Sequence, residues 1–371
     1  MIIIPGNNHK RLLGAVTGAL LLTLAGCSEW TEPQSVEIYE PTLESQNPEL
    51  WAQYLQSLRE YRGSEHKVMM AKFDNVDGAP TGRAEHINCL PDSVDYVIMN
   101  NPDNLSDAMV SEMAEIRTEK GMKTLYTVSY DTIDDEYAAY VEEWNAEHAP
   151  ETGEDRDADQ TPEEPAEQPQ AFGEFLGERT DYYLSLCDKY GYDGIIAGYT
   201  GVFPGSLQED AQAELLANQT VFFDKIKAWK ESHGQSLLFF EGMPVNILYD
   251  ITLLDSCDYI IVDASSVSTA EEVTFTVMMA LPEGFAAERI IIGTTMPSMT
   301  DDKDESGYFS AADGSQIYAV TGVAEWMVRT DSDIDKAGMC VDHAQYDYFD
   351  VNKIYRHIRA AIDTMNPSIL N

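Results

Sequence analysis

The chain has 371 residues, of which 65 are Asp or Glu and 23 are Lys or Arg, so its formal net charge is −42. Such a surface repels polyanions and argues against a nucleic-acid partner, because phosphate binding depends on clustered Lys and Arg side chains. Hydrophobic residues make up 44% of the chain, which excludes a wholly disordered protein and predicts one large domain or two ordinary ones.

The first 26 residues differ in composition from the rest. A basic pair, Lys10 and Arg11, precedes an apolar run over 12–25, which is the layout of a secretory signal and is too short to cross a bilayer. The run ends in Leu24-Ala25-Gly26-Cys27, which resembles a bacterial lipobox. The resemblance implies cleavage before Cys27 and attachment of acyl chains, palmitate among them, to that residue. An ordinary signal peptide with a chance cysteine is the alternative.

A polar segment follows the signal over residues 27–48. Its first residues, Ser28-Glu29-Trp30-Thr31-Glu32, resemble a weak form of the acidic tag on lipoproteins that Bacteroidetes send to the outer face of the outer membrane. The segment contains Pro33, Pro41 and Pro48 and has no hydrophobic periodicity, which predicts a flexible tether. We therefore expect a lipid-anchored protein of the cell outer membrane, exposed at the surface.

From Lys67 onward, short apolar runs alternate with amphipathic stretches. Each run turns polar at its end, as a parallel strand does when it is buried on both faces. The eight runs cover 67–75, 94–101, 123–131, 192–201, 236–242, 258–266, 289–298 and 337–347. A doubly wound open sheet would show the same alternation, but eight repeats favour a single (β/α)8 TIM barrel over residues 49–371.

One insertion, residues 148–170, interrupts this rhythm. It is acidic and rich in proline and has almost no apolar residues, which predicts a disordered loop rather than a partner-binding segment. Because it follows the third run, we expect it near the C-terminal rim of the barrel. The cysteines of the barrel lie outside any metal-ligand spacing, which favours buried free thiols, although an exported protein can pair two of them. These cysteines are Cys89, Cys187, Cys257 and Cys340.

The fourth run, Tyr192-Asp193-Gly194-Ile195-Ile196-Ala197-Gly198-Tyr199-Thr200, resembles the D-G-x-D-x-D-x-E motif of family 18 glycoside hydrolases. This family includes the chitinases and endo-β-N-acetylglucosaminidases. Asp193 and Gly194 match the motif. Ile196, Gly198 and Thr200 stand where the family has its two further aspartates and its glutamate.

The resemblance implies that both working groups of the family are missing. In family 18 the glutamate is the general acid, and the aspartate two residues before it orients the N-acetyl group that acts as the nucleophile. Thr200 has a hydroxyl that is a poor acid near pH 7, and Gly198 has no side chain. The subset that the chain resembles most is the lipoproteins of Bacteroidetes glycan-utilisation loci, some of them active and some degenerate.

Other rim residues supply candidates for a site. The glutamates that another clan of barrel glycosidases places at the ends of strands four and seven are absent, since Thr200 and Thr295 stand there. If activity survives, Glu241 and Asp263 are the best catalytic candidates. Amides, carboxylates and aromatic rings near the strand ends suit carbohydrate binding. The candidate glycan-binding residues are Asn75, Asn100, Asn101, Tyr130, Tyr199, Glu241, Asp263, Asp342 and Tyr346.

A second motif has the outline of a calcium loop. Asp302, Asp304, Ser306 and Asp313 offer oxygen donors, with Gly307 for the turn. Chance matches are common in so acidic a chain, and we otherwise expect no cofactor. The leading hypothesis is a catalytically degenerate pseudoenzyme that binds N-acetylglucosamine-containing glycans and passes them to a neighbouring uptake complex. An active endoglycosidase with displaced carboxylates and a structural lipoprotein without a ligand remain the alternatives.

Overall fold

The computed structural model describes residues 43–149, 168–301, 303–311, 313–330, 333–349 and 353–367. The signal segment, Cys27 and most of the tether lie outside the described residues, as does most of the acidic insertion. The chain divides into two units, residues 1–52 and 53–371. In the described part of the first unit, residues 43–46 form a short helix and a second helix begins at Pro48. These helices overlap the C-terminal end of the segment, residues 27–48, for which the sequence predicts a flexible tether.

Eight parallel strands close into a barrel. The barrel strands are β1 (Val68–Phe73), β2 (Tyr96–Met99), β3 (Lys123–Ser129), β4 (Gly194–Tyr199), β5 (Leu237–Gly242), β6 (Ile260–Asp263), β7 (Ile290–Thr295) and β10 (Lys336–Asp342). Around the barrel they follow in the order β1-β10-β7-β6-β5-β4-β3-β2. Between β7 and β10, the short strands β8 (Tyr308–Ser310) and β9 (Gln316–Tyr318) form an antiparallel hairpin. Seven of the eight predicted runs contain a whole barrel strand and the eighth contains all of β10 except Lys336, so the TIM-barrel prediction is confirmed.

Helices precede the first barrel strand, occupy most of the connections between the barrel strands and follow the last barrel strand. They are α1 (Leu43–Gln46), α2 (Pro48–Arg62), α3 (Asp107–Glu115), α4 (Tyr130–Glu147), α5 (Phe172–Tyr190), α6 (Glu209–Ser232), α7 (Ala270–Ala280), α8 (Ala319–Met327) and α9 (Arg356–Met365). Side-chain oxygens of Ser106, Ser129 and Thr269 accept the free N–H groups at the starts of α3, α4 and α7. No helix in the described ranges is long and apolar enough to span a bilayer.

The barrel strands bury both of their faces. One set of side chains fills the barrel and includes Met70, Leu125, Ile196, Phe239 and Cys340. The alternate residues face outward and pack against the helices in a larger cluster. This double burial explains why the strands are apolar throughout rather than alternating.

Two further predictions concern the insertion and the cysteines. Helix α4 begins directly at the end of β3, so α4, and not the insertion, follows the C-terminal end of this strand. The insertion joins α4 to α5, and the expectation that it emerges near the C-terminal rim was wrong. The cysteine prediction is confirmed for all four thiols of the barrel, which are free. Cys187, Cys257 and Cys340 are buried and Cys89 is half-buried.

Candidate functional site

The C-terminal end of the barrel interior is polar. Because alternate residues of a strand point the same way, the residues two positions after the interior apolar layer also face inward. They include Lys72 after Met70, Thr127 after Leu125 and Glu241 after Phe239. The apolar filling of the barrel therefore ends in a layer that holds charged groups.

Lys72 and Glu241 form an ion pair across this layer. The Lys72 Nζ to Glu241 Oε1 distance is 2.5 Å, and both side chains are 17% exposed. Thr127 Oγ1 donates to Glu241 Oε2 at 3.3 Å. Burial alone would lower the pKa of Lys72, but the electrostatic contributions of Glu241, Cys340 and Asp342 together outweigh burial, and the net pKa is raised. Glu241 thus serves as the counter-ion of a lysine that stays charged.

A cavity of about 310 Å³ opens above this ion pair. Its walls come from the ends of β1, β2, β3 and β5 and from the helices that follow. The lining residues are Lys72, Met99, Asn100, Pro102, Thr127, Ser129, Thr132, Tyr183 and Glu241. Its volume is at the lower end of the range of ligand pockets, and its lining offers amide, hydroxyl, ammonium and carboxylate groups. We call it the mouth cavity.

The end of β4 contributes no carboxylate to the mouth cavity. A Cβ atom on Gly198 would lie 2.8 Å from Thr127 Cγ2 and 3.3 Å from Ser129 Cα, so even Ala there would displace its neighbours. Thr200 is exposed, and its backbone N–H donates to Asp131 Oδ2 at 2.7 Å. Gly201 N–H donates to the other oxygen of Asp131 at 2.9 Å. Asp131, near the start of α4, therefore uses both of its carboxylate oxygens to hold the end of β4.

The matching part of the motif lies at the opposite end of β4. Asp193 Oδ1 accepts from Arg117 Nε at 2.8 Å, and Asp193 Oδ2 accepts from the Thr124 backbone N–H at 2.9 Å. A Cβ on Gly194 would lie 2.2 Å from the Leu237 carbonyl oxygen. Ile196 fills the barrel interior. The motif positions that match the family thus support the fold, far from the C-terminal rim.

A hydrogen-bonded cluster joins the ends of β10, β1 and β2. Asn100 Nδ2 donates to Asp74 Oδ1 at 2.6 Å and to Asp342 Oδ1 at 3.1 Å. His343 Nδ1 lies 2.5 Å from Asp74 Oδ2, which also accepts from Gln345 Nε2. Burial works against ionisation of Asp74, but the bonds from His343, Asn100 and Gln345 lower its pKa. The bond to Asp74 is the main reason that the pKa of His343 is raised.

This cluster also has donor atoms at metal-ligand spacing. One ligand atom each from Asp74, Asp342 and His343 lie within 4.8 Å of one another. The predicted calcium loop does not form a single loop, because its second half continues into β8 and the hairpin turn. Asp304 Oδ1 accepts the Ser306 N–H, and Asp313 Oδ1 accepts from Ser315, while Asp302 lies outside the described residues. The calcium loop stays a prediction.

Comparison with known sequences assigns the barrel to a family. The sequence model of glycoside hydrolase family 18, BT1044-like, matches residues 31–364. The chain belongs to glycoside hydrolase family 18. No curated protein sequence matches it significantly. The family 18 resemblance that rested on the fourth run and the strand pattern is therefore confirmed over most of the chain.

Solved family 18 structures share the fold. A variant of BT1044 superposes with a TM-score of 0.59 at 18% identity, over 88% of this chain and 96% of that chain. The apo endo-β-N-acetylglucosaminidase from Cordyceps militaris gives 0.53 at 14% identity, over 84% and 95%. A family 18 chitinase from Pseudoalteromonas aurantia gives 0.50 at 12% identity, over 80% and 99%. At these identities the likeness supports the fold alone.

Several predicted glycan contacts lie away from the open part of this family 18 barrel. Tyr199 is 1% exposed, faces outward from the barrel and packs between Tyr130 and Phe223, while its hydroxyl accepts from Gln219. Tyr130 is also buried. Neither ring offers a face to a ligand, so both are removed from the candidate set. Tyr130 and Tyr199 lie outside the mouth cavity because their rings pack against Phe222 and Phe223 of α6, respectively.

Asn75 and Asn101 are engaged with each other. Asn75 Nδ2 donates to the Asn101 carbonyl at 2.7 Å, and the Asn101 N–H donates to Asn75 Oδ1 at 3.0 Å. Asn75 is 2% exposed, so this bridge fixes the ends of β1 and β2 and is not open to a ligand. Asn75 is therefore removed from the candidate set, and Asn101 is retained only as a neighbour of the rim.

The remaining candidates lie around the barrel mouth. Asn100 and Glu241 line the mouth cavity, and Asp342 belongs to the hydrogen-bonded cluster beside it. Asp263 is exposed at the end of β6, where its two oxygens accept from Ser265. Tyr346 is half-buried and stacks on His343, with ring centroids 5.3 Å apart.

The sequence reasoning missed Lys72, Thr127, Tyr183 and His343. A signal for Lys72 was present, because strand parity places it on the same face as Val68 and Met70, and a lysine inside a barrel requires a carboxylate partner. Tyr183 had no comparable signal. It comes from the middle of α5, and its hydroxyl donates to Glu136, a contact that only the packing of α4 against α5 creates.

Proposed function

We propose that this family 18 barrel binds N-acetylglucosamine-containing glycans in the mouth cavity without hydrolysing them. The observation that carries the proposal is the end of β4, where Gly198 and Thr200 provide no carboxylate. General acid catalysis needs a group whose pKa lies near the working pH, and a threonine hydroxyl is far from that. The Cordyceps relative is named as an endo-β-N-acetylglucosaminidase, which supports this class of glycan as the ligand to test first.

Glu241 does not replace the missing acid in this proposal. Its Oε1 is paired with the Lys72 ammonium at 2.5 Å and its Oε2 accepts from Thr127. Both carboxylate oxygens are therefore already engaged in contacts inside the barrel. Glu241 is better suited to accept hydrogen bonds from sugar hydroxyls, while Asn100 and Ser129 offer further polar contacts around the cavity.

An active glycosidase with displaced carboxylates is the second candidate. Glu241 and Asp263 are on adjacent strands and share inward parity, and both influence the buried Cys340 thiol electrostatically. The two-carboxylate route of glycoside hydrolysis uses two such acids, at a separation of about 5 Å for retention of configuration. Asp263 would act with Glu241 in that case.

Glycan binding and product release by the purified chain separate these candidates. We expect saturable binding on an array of N-glycans and chito-oligosaccharides, with no cleaved product by mass spectrometry after prolonged incubation. Asn100→Ala should weaken binding, whereas Asn88→Ala should not, because Asn88 is a half-buried asparagine that bonds to Glu115 and does not line the mouth cavity. Product that disappears in Glu241→Gln and in Asp263→Asn would replace this proposal with the active enzyme. An array without any saturable ligand would favour a purely structural lipoprotein.

We propose further that Cys27 is lipidated and anchors the barrel at the outer membrane, where it passes glycan to an uptake complex. The support is the sequence Leu24-Ala25-Gly26-Cys27 after an apolar run. Cys27→Ser should abolish incorporation of labelled palmitate and release the protein from the membrane fraction, while Cys89→Ser, a cysteine of the barrel, should change neither. Protease treatment of intact cells tests the surface exposure.

A further inference from the structure

A second concave site lies on the same face of the barrel. The hairpin β8–β9, the segment after β7 and the turn after β10 enclose a cavity of about 290 Å³. Residues that form its wall include Met299, Tyr308, Tyr318, Tyr346, Phe349 and His357. We call it the hairpin cleft. Four of these six side chains are phenylalanine or tyrosine, in contrast to the polar lining of the mouth cavity.

The aromatic rings of the cleft are arranged in contact with one another. Tyr308 and Tyr318 stack with centroids 5.8 Å apart and planes at 20°, and Tyr318 meets His357 edge to face at 4.1 Å. Phe349 is 57% exposed and Met299 is 56% exposed. Large apolar side chains of this kind, gathered around a cavity, indicate a binding surface rather than scattered surface residues.

The chemistry of the wall selects the class of ligand. Flat aromatic faces suit the apolar C–H faces of a pyranose ring, while tyrosine hydroxyls and an imidazole bond to its hydroxyl groups. The lining contains no Lys or Arg, and the chain carries a net charge of −42, so an anionic ligand is disfavoured. A volume near 300 Å³ is at the lower end for ligand pockets, which suits a small cyclic ligand better than a protein segment.

A chain of contacts connects the hairpin cleft to the mouth cavity. Tyr346 of the cleft stacks on His343, which bonds Asp74. Asp74 accepts from Asn100, which lines the mouth cavity. One hydrogen-bonded cluster therefore connects the two cavities at the rim of the same barrel.

We propose that the hairpin cleft is a second sugar-binding site, which takes a neutral pyranose residue of the glycan held in the mouth cavity. This inference rests on the proposed function and adds to it that the ligand is an oligosaccharide long enough to span the rim. Occupying two linked sites raises the affinity for a long glycan over a short one, because the second contact is intramolecular.

Titration calorimetry with chitobiose and chitotetraose on the full chain tests the inference. The wild-type protein should prefer chitotetraose, and Tyr308→Ala and Phe349→Ala should each weaken chitotetraose binding about tenfold, as expected for the loss of one aromatic stacking contact. Binding of chitobiose should change less than twofold. Phe275→Ala is the matched control, because Phe275 is 63% exposed on α7 and does not line the hairpin cleft.

The two proposals fail in different ways. Unchanged chitotetraose affinity in Tyr308→Ala and Phe349→Ala, with binding lost in Asn100→Ala, would overturn the second site and leave the proposed function standing. Thermal unfolding of each variant shows whether the variant is still folded. Tyr308→Phe keeps the aromatic ring and should retain most of the affinity for chitotetraose. Failure of the wild-type chain to bind chitotetraose or a complex N-glycan would overturn both proposals.

Discussion

The two ends of β4 differ in what they require of the sequence. At the N-terminal end, Asp193 is bonded to Arg117 and Thr124, and Gly194 lies against the backbone of β5. At the C-terminal end, Gly198 and Thr200 stand where family 18 has carboxylates, and Asp131 holds the terminus in place through backbone N–H groups. The fold therefore depends on the first end, whereas the chemistry of the family depends on the second.

This difference explains how a chain can keep a family 18 barrel without the family's acid groups. The motif positions that remain are the ones whose loss would damage strand pairing. The positions that differ hold Ile196 in the barrel interior, Gly198 where a Cβ would meet Thr127, and the exposed Thr200. The charged groups at this level of the barrel are instead Glu241, on the neighbouring strand β5, and its partner Lys72, on β1. If this account is right, substitutions at the N-terminal end should cost stability, and those at the mouth should chiefly alter binding.

Gly194→Ala should have the largest effect on stability. The new Cβ would lie 2.2 Å from the Leu237 carbonyl oxygen and 2.7 Å from Leu237 Cβ, so β4 and β5 would have to separate. We expect a loss of more than about 3 kcal/mol in the free energy of unfolding, measured by urea denaturation. Gly234→Ala is the control, because no atom lies within 4 Å of its Cβ position. Equal stability of the two variants would contradict the structural role of Gly194.

Lys72→Met should destabilise the barrel because it leaves the Glu241 carboxylate without its partner. Removal of one member of a buried ion pair costs about 3 kcal/mol or more. The double variant Lys72→Met with Glu241→Leu should recover most of this loss, since an apolar pair carries no unpaired charge. Additive losses in a double-mutant cycle, followed by thermal unfolding, would mean that the two residues do not interact as the 2.5 Å contact indicates.

Asp193→Ala should be less damaging, with an expected loss of about 2 kcal/mol. The change removes the acceptor of Arg117 Nε and of the Thr124 N–H, but Arg117 is partly exposed and can turn toward water. Asp188→Ala, an exposed residue 3.4 Å from His233, should change the midpoint of denaturation little. A neutral Asp193→Ala would mean that the first motif position supports neither fold nor chemistry.

The fold could be predicted from the sequence because burial on both faces leaves a simple pattern. Eight apolar runs, each ending in polar residues, are enough to locate the strands of a parallel barrel. The hairpin β8–β9 was not predicted, since its three-residue strands lie in a polar segment with no clear periodicity. Its register depends on tertiary contacts, such as the Ser310 N–H bond to the Ser268 carbonyl.

The site could be predicted only in part, and Tyr199 shows why. Ile196 and Gly198 face inward, so strand parity already places Tyr199 outward, toward the helices, where the structure finds it packed against Phe223. Strand parity applied residue by residue would have removed Tyr199 and identified Lys72. In contrast, the cluster of Asp74, Asn100 and His343 joins residues far apart in sequence, and no local pattern reveals which rim residues meet.

The smallest predicted effect is the pH dependence of the Asp74–His343 contact at the mouth. The pKa of His343 is raised and that of Asp74 is lowered in the folded protein. The stabilisation from His343 is fully present below its unfolded pKa of about 6.5 and is lost as the pH rises through its higher folded value. The stabilisation from Asp74 is present above its unfolded pKa of about 4 and is lost as the pH falls through its lower folded value. The contact should therefore contribute most between about pH 4 and 6.5.

His343→Asn tests this dependence while preserving the backbone, because asparagine tolerates the positive φ of 51° at this position better than most residues. Since both side chains are partly exposed, the loss of stability should be under about 1 kcal/mol at pH 5 and smaller at pH 9. In an Asp74→Asn background the same substitution should show no such pH dependence. A difference in unfolding free energy between wild type and His343→Asn that stays constant from pH 5 to 9 would contradict this account. It would mean that His343 stabilises the rim through neutral hydrogen bonds and that its protonation has no part in this.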